Sequence, residues 1–165
     1  MGWVEKRVKT VKKLDSTDLD ILAELYADSS ITNKDLANKV NVAASTCLER
    51  VKRLESTGVI KGFGLSIDYK SVGGNIEAMT SIRLGQHSRK IIEKFRRDLL
   101  SSPEVLKIYH MGGENDFLLH ITVKDTEHLR DFVFKSITSR AEVVHLETAL
   151  IYEQVNNTLL PNFLS

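Results

Sequence analysis

The chain has 165 residues, 42% of them apolar and 27% charged, with one cysteine and a net charge of +1. These proportions suit a globular chain that buries a core in one ordinary domain or two small ones. A single cysteine excludes an internal disulfide and suits a reducing cytoplasm. No stretch approaches the roughly 18 consecutive apolar residues of a membrane span. The opening residues are basic and broken rather than a secretory leader. Through Gly64 there are 11 basic and 9 acidic residues, and beyond it 12 and 13. So slight an asymmetry does not mark a nucleic-acid binder, and any such role must rest on local pattern.

Residues 1–13 form a basic extension, open to three readings: a helix extension, a disordered arm or a contact to a DNA backbone. Within it, Trp3 is expected to pack on a neighbour. Asp15 or Ser16 can cap the first firm helix, whose core face is Leu14, Ile21, Leu22 and Leu25, and Asp28-Ser29-Ser30 ends it.

The stretch from Thr32 to Gly64 reads as two short helices, a tight turn and then a strand. Thr32 followed by Asp35 fits a capping box, with Leu36, Ala37 and Val40 on the apolar face. Asn41 breaks the run and Val42 re-enters the core. The next helix sets Leu48, Val51 and Leu54 inward, and Gly58 sits where a helix-terminating glycine belongs. Its outer face shows Ser45, Thr46, Glu49, Arg50, Lys52 and Arg53. A short helix, a turn and a second helix with a basic outer face is the helix-turn-helix pattern, whose second helix enters the DNA major groove. The bland alternative is a solvated face with ordinary charge pairs, such as Glu49 with Arg53.

Val59 to Asp68 is a strand or an extended connector, loosened by Gly62 and Gly64 and closed by Gly73-Gly74. From Glu77 the pattern changes. Strands are expected at Glu77–Leu84, Glu104–Met111, Phe117–Val123 and Val143–Tyr152. Helices are expected at Ser88–Leu100, with Ile91, Ile92, Phe95 and Leu99 inward, and at Glu127–Ser139, with Leu129, Phe132, Val133 and Ile137 inward. The order β-α-β-β-α-β is ferredoxin-like, with helices on one sheet face and the other left to a partner, which argues for a dimer. The expected segments are 1–13 (extension), 14–58 (helix-turn-helix), 59–75 (linker), 76–156 (sheet domain) and 157–165 (tail).

Two stretches, LDSTDLDILAEL and TCLERVKRLESTGVIKGF, resemble the Lrp/AsnC family of transcriptional regulators, and the likeness runs from about Leu14 to about Asn156. It implies an α+β chain: an N-terminal winged helix-turn-helix, then a ferredoxin-like βαββαβ dimerisation domain of the RAM/AsnC type. It further implies a sequence-specific regulator that binds a pseudo-palindromic operator in double-stranded DNA. Homodimers are expected to assemble into an octamer, with an amino acid or similar effector between dimers. The implied DNA-binding residues are Asn33, Lys34, Ala44, Ser45, Thr46, Glu49, Arg50, Lys52 and Arg53. The hairpin from Gly112 to Phe117 matches the family pattern Gly-x-x-Asp-Tyr/Phe. The implied effector residues are Gly113, Asp116 and Phe117, then Thr148, Ala149 and Leu150 on the last strand. Exposed glycine N–H groups can hold an α-carboxylate and Asp116 an α-ammonium group. The same residues also suit a plain turn in which Asp116 bonds its own backbone. Two departures stand out: Ala43 where the family has a capping serine, and Ser30 where it often has an arginine.

No catalytic motif, metal-ligand spacing or cofactor motif is present. Cys47 reads as a small packing residue, the alternative being a redox switch. A rival class is a siroheme-decarboxylase-like enzyme of the same fold, using His110, His120 and Arg83. A third is an amino-acid-sensing module acting on a protein partner.

Overall fold

The computed structural model describes residues 13–164. The expectations for Trp3 and most of the basic extension fall outside them. Residues 13–66 with 156–164 form one compact unit, and Ile67–Val155 form a second.

Three helices build the first unit: α1 (Ser16–Ala27), α2 (Asn33–Lys39) and α3 (Ala44–Ser56). Each start has a local cause. Asp15 caps α1 in a reciprocal box with Asp18: the Asp18 N–H donates to Asp15 Oδ1 at 2.9 Å, and the Asp15 N–H to Asp18 Oδ2 at 3.2 Å. Thr32 caps α2 by accepting the Asp35 N–H at 3.2 Å. Asn41, at φ 54°, turns the chain between α2 and α3, and asparagine tolerates this left-handed geometry better than most residues. Gly58, at φ 78°, ends α3, after which the Ile60 N–H returns to the Leu54 carbonyl at 3.1 Å.

Ile21, Leu36, Ala37, Cys47 and Leu54 form the core of this unit, with Val51 half-buried against them. The inward stripe of α3 is therefore 47, 51 and 54. Leu48, expected inward, is 43% exposed, and Cys47 takes its place. Both choices satisfy a helical period, and cysteine packs as a small apolar group. The segment from Lys61 to Asp68 carries no ladder, so of the two readings of it the extended connector holds. No other strand of the described residues pairs with it.

The second unit begins with a 3₁₀ turn (Tyr69–Val72). It continues through β1 (Ile76–Leu84), α4 (Arg89–Leu100), β2 (Val105–His110), β3 (Phe117–Val123), α5 (Thr126–Val133) and β4 (Val143–Leu150). The sheet order is β2-β3-β1-β4 and every pairing is antiparallel, as a βαββαβ plan requires. Alternation along β1 puts Ala78, Thr80, Ile82 and Leu84 on the buried side. There they meet Phe117, Leu119 and Ile121 of β3, Phe95 and Leu99 of α4, and Phe132 of α5. Past Val133 the helix widens into a π turn (Phe134–Thr138), which keeps Ile137, five residues after Phe132, in the same core. The opposite sheet face, with Met79, Ser81, Arg83 and His120, carries no helix of this unit.

Candidate functional site

Two surfaces and one stretch of β4 hold the residues singled out from the sequence. The first is the outer face of α3. Ala44, Ser45, Thr46, Glu49 and Lys52 are all exposed, as is Lys34 on α2. Ala43 makes no side-chain cap, so the first turn of α3 presents N–H groups that no side chain covers. Asn33 is half-buried, and its Nδ2 donates to the Ala44 carbonyl at 2.9 Å, pinning the start of α2 to the start of α3.

Arg50 and Arg53 lie differently from a freely solvated pair. Arg50 Nη1 donates to both carboxylate oxygens of Asp15 at 2.8 Å and to Asp18 Oδ1 at 2.7 Å. Arg53 Nη2 donates to the same Asp18 oxygen. Asp18 is wholly buried, whereas the two arginines keep about a quarter to a third of their side chains exposed (26% and 30%). The capping carboxylates of α1 thus clamp α3. The Arg50 hydrogen bond, with the Asp18 backbone N–H, holds the Asp15 carboxyl below its ordinary range. Burial pushes Asp18 up, but hydrogen bonds from Arg50, the Asp15 backbone and Arg53 outweigh it and leave that carboxyl depressed as well. Periodicity alone does not pair Asp15 and Asp18 with these arginines, but the spacing carries a signal. Both pairs are spaced by three residues, so both present one helical turn of like charge. The Glu49–Arg53 pair considered from spacing does not form: Arg53 turns to Asp18 instead.

The second surface is the hairpin between β2 and β3. Its strands close through the Met111 N–H on the Asp116 carbonyl at 2.8 Å. The Asp116 side chain does not bond its own turn. Its Oδ2 accepts the Leu84 N–H at 2.7 Å, its Oδ1 lies 2.8 Å from His87 Nε2, and its backbone N–H reaches the Ile82 carbonyl at 2.9 Å. Gly113, at φ 144°, is exposed. Phe117 is fully buried between the Phe95 ring (centroids 5.1 Å apart) and the His110 ring (4.9 Å), so it belongs to the core rather than to a pocket wall.

The β4 residues lie elsewhere on the sheet. Thr148 is opposite Thr80, their hydroxyls 3.1 Å apart, and Leu150 is opposite Ala78. Asp116 docks at Leu84, four residues along β1 from Thr80, or roughly 13 Å at the rise of an extended strand. One chain therefore does not gather all six effector candidates. A cleft of about 490 Å³ does adjoin the end of β4, lined by Leu150, Lys70, Asn75, Glu77, Tyr152 and Glu153 among others.

Other chemistry is not assembled. Among the described residues no group of three or more His, Cys, Asp or Glu side chains is placed to hold a metal. Cys47 is buried, and desolvation pushes its thiol up, the reverse of what a redox switch needs. His110 stacks on core residue Phe117, while His120 lies on the other sheet face, 2.8 Å from Glu77. The histidines of the decarboxylase alternative do not converge. No helix among the described residues is long and apolar enough to cross a membrane.

Comparison with known proteins fits this geometry. Residues 14–61 match the winged helix-turn-helix DNA-binding family, and residues 77–160 match the Lrp/AsnC ligand binding domain. The chain is 39% identical over 144 residues to the HTH-type transcriptional regulator AldR of Mycolicibacterium smegmatis, spanning 87% of this chain and 84% of the relative. A transcriptional regulator of Neisseria meningitidis, solved as its complex with L-methionine, superposes with a TM-score of 0.81 at 28% identity, over 90% of this chain and 96% of that one. A feast or famine regulatory protein of M. tuberculosis, also complexed with L-methionine, gives 0.76 at 27% identity, over 87% and 95%. With a helix-turn-helix in the first unit, a four-stranded ligand-binding sheet in the second and relatives that share both, the chain belongs to the Lrp/AsnC family of transcriptional regulators.

Proposed function

We propose that this regulator reads a pseudo-palindromic site in double-stranded DNA with the exposed face of α3. The observation that carries this is the division of that helix. Cys47 and Leu54 are buried, while Ala44, Ser45, Thr46, Glu49 and Lys52 all face outward beside an uncapped helix start. Short side chains at the start let the backbone approach the groove, and free N–H groups suit a phosphate. Lys34 and Lys52 are the cations best placed for phosphate contacts, and Asn33 joins the surface by fixing its geometry. As a regulator rather than an enzyme, the protein works in the cytoplasm, where its DNA is.

An amino acid or a similar small molecule is its effector. Two structural relatives hold L-methionine, which supports the class without naming the ligand of this chain. Gly113 and Asp116 form one half of the site, and Thr148, Ala149 and Leu150 the other. Their separation within one protomer means that a second copy must supply one half. Homodimers assembling into an octamer satisfy that need, and the helix-free sheet face is the surface on which two copies meet. The effector then acts by differential affinity for two assemblies.

The test is a thermal-shift screen against the twenty amino acids, with particle mass measured in parallel. A ligand at 100 times its dissociation constant stabilises its target by about 2.7 kcal/mol. One amino acid that shifts both the melt and the mass supports the proposal. A ligand that binds a monomer with equal affinity excludes the shared pocket.

A further inference from the structure

We infer that Arg50 and Arg53 are positioning residues for DNA recognition, held by Asp15 and Asp18, and that they are not themselves phosphate or base contacts. This rests on the reading of α3 as the DNA-reading helix. The clamp engages one terminal nitrogen of each guanidinium, Nη1 of Arg50 and Nη2 of Arg53. Arg50 spans both oxygens of Asp15 and one of Asp18, and Arg53 converges on that same Asp18 oxygen. Asp18 is wholly buried, so withdrawing the arginines toward DNA would leave a carboxylate desolvated without its partners. The two positive charges are also offset by two negative ones a hydrogen bond away, which reduces their pull on a polyanion. What the clamp does is geometric. It joins the capping turn of α1 to the middle of α3, while the Asn33–Ala44 bond joins α2 to its start. Three points so fixed set how α3 meets a groove.

The two roles differ in measurable ways. A phosphate contact contributes to the salt dependence of binding, with a slope near −0.9 per contact, and survives replacement of arginine by lysine. A clamp has no share in that slope and needs a donor where Arg50 Nη1 stands, one bond beyond the reach of a lysine nitrogen. The wild-type chain first selects a duplex from a random-sequence pool. If no sequence is enriched, the DNA-reading role of α3 fails, and that outcome is separate from the one at issue. Asp15→Asn and Arg50→Lys are then titrated against the selected duplex and a scrambled one over a range of salt. Asparagine remains a good N-cap, so the first variant keeps α1 intact, and a melt verifies the fold of each.

Both variants are expected to bind the selected duplex about tenfold more weakly, comparable to losing one base contact. Binding to the scrambled duplex and the salt slope stay at wild-type values. Lys52→Gln, by contrast, lowers binding to both duplexes and reduces the slope. The inference is overturned if Asp15→Asn binds as tightly as wild type or tighter, as it would were Asp15 competing with DNA for Arg50. A retained affinity in Arg50→Lys, or a reduced slope in either variant, also overturns it. A lowered melting temperature with an unchanged ratio of selected to scrambled binding would show a purely structural role, and that too contradicts positioning.

Discussion

Asp116 accepts the backbone N–H of Leu84 at 2.7 Å, which ties the β2–β3 hairpin to the far end of β1. A residue proposed to hold an effector is thus also an anchor of the sheet. Asp116→Ala leaves the Leu84 N–H without its acceptor in a nearly buried setting, a loss of about 1–3 kcal/mol. The expected result is a lower melting temperature together with loss of the effector response, while the affinity for DNA of the still-folded protein stays at the wild-type value. A variant that responds normally to effector would place the pocket elsewhere.

Phe117 is expected to act through stability alone. Truncation to alanine opens a cavity between Phe95 and His110 and costs about 3–5 kcal/mol. Phe117→Leu keeps most of the volume, and the effector affinity of that variant should match wild type in a calorimetric titration. A large selective loss of ligand in Phe117→Leu would return this ring to the binding site.

The uncapped start of α3 makes a gain-of-stability test available. Ala43 has extended backbone geometry suited to a capping residue but no side-chain acceptor. Ala43→Ser is therefore expected to stabilise the first unit by about 1 kcal/mol, read as a rise in the urea midpoint at constant slope. No change would mean that the first-turn N–H groups are already satisfied by solvent as well as a hydroxyl could.

Acid should loosen the helix-turn-helix through Asp18. Its carboxyl is depressed relative to an unfolded aspartate, so in the acid range the unfolded chain binds more protons and stability rises with pH. The contribution is complete above the ordinary aspartate value of about 3.9 and is lost as the pH falls through the lower folded value. Removing the carboxylate altogether, as in Asp18→Ala, leaves Arg53 without its partner and Arg50 with Asp15 alone, and should cost about 1.5–3 kcal/mol at neutral pH. Urea melts from pH 7 down to pH 3, for wild type and for this variant, would show the difference shrinking toward the acid end.

How far these features can be read from residues alone depends on the range of the interaction involved. Periodicity places the helices and strands to within a residue or two, because burial on one face repeats locally. Thr32, Asn41 and Gly58 announce their turns for the same reason. What escapes is tertiary. Whether Leu48 or Cys47 points inward depends on the angle at which α3 meets α1 and α2, which no local pattern encodes. The arginines of α3 look like a DNA face until Asp15 and Asp18, more than 30 residues earlier, are found against them. Phe117 follows the effector motif in sequence, yet strand alternation turns it into the core. The Val59–Asp68 segment has strand-like residues, but no strand of the described residues pairs with it.

The most direct test of the central claim is the ratio of affinities for a duplex selected from a random pool and for its scrambled counterpart, at one fixed salt concentration. The comparison is between the wild-type chain and a variant with Ser45, Thr46 and Glu49 all changed to alanine. A sequence-reading α3 predicts a wild-type ratio of at least about 10³, collapsing in the variant while scrambled binding persists. Equal affinity for both duplexes in the wild type, or an undiminished ratio in the variant, would contradict the assignment of DNA reading to this helix face.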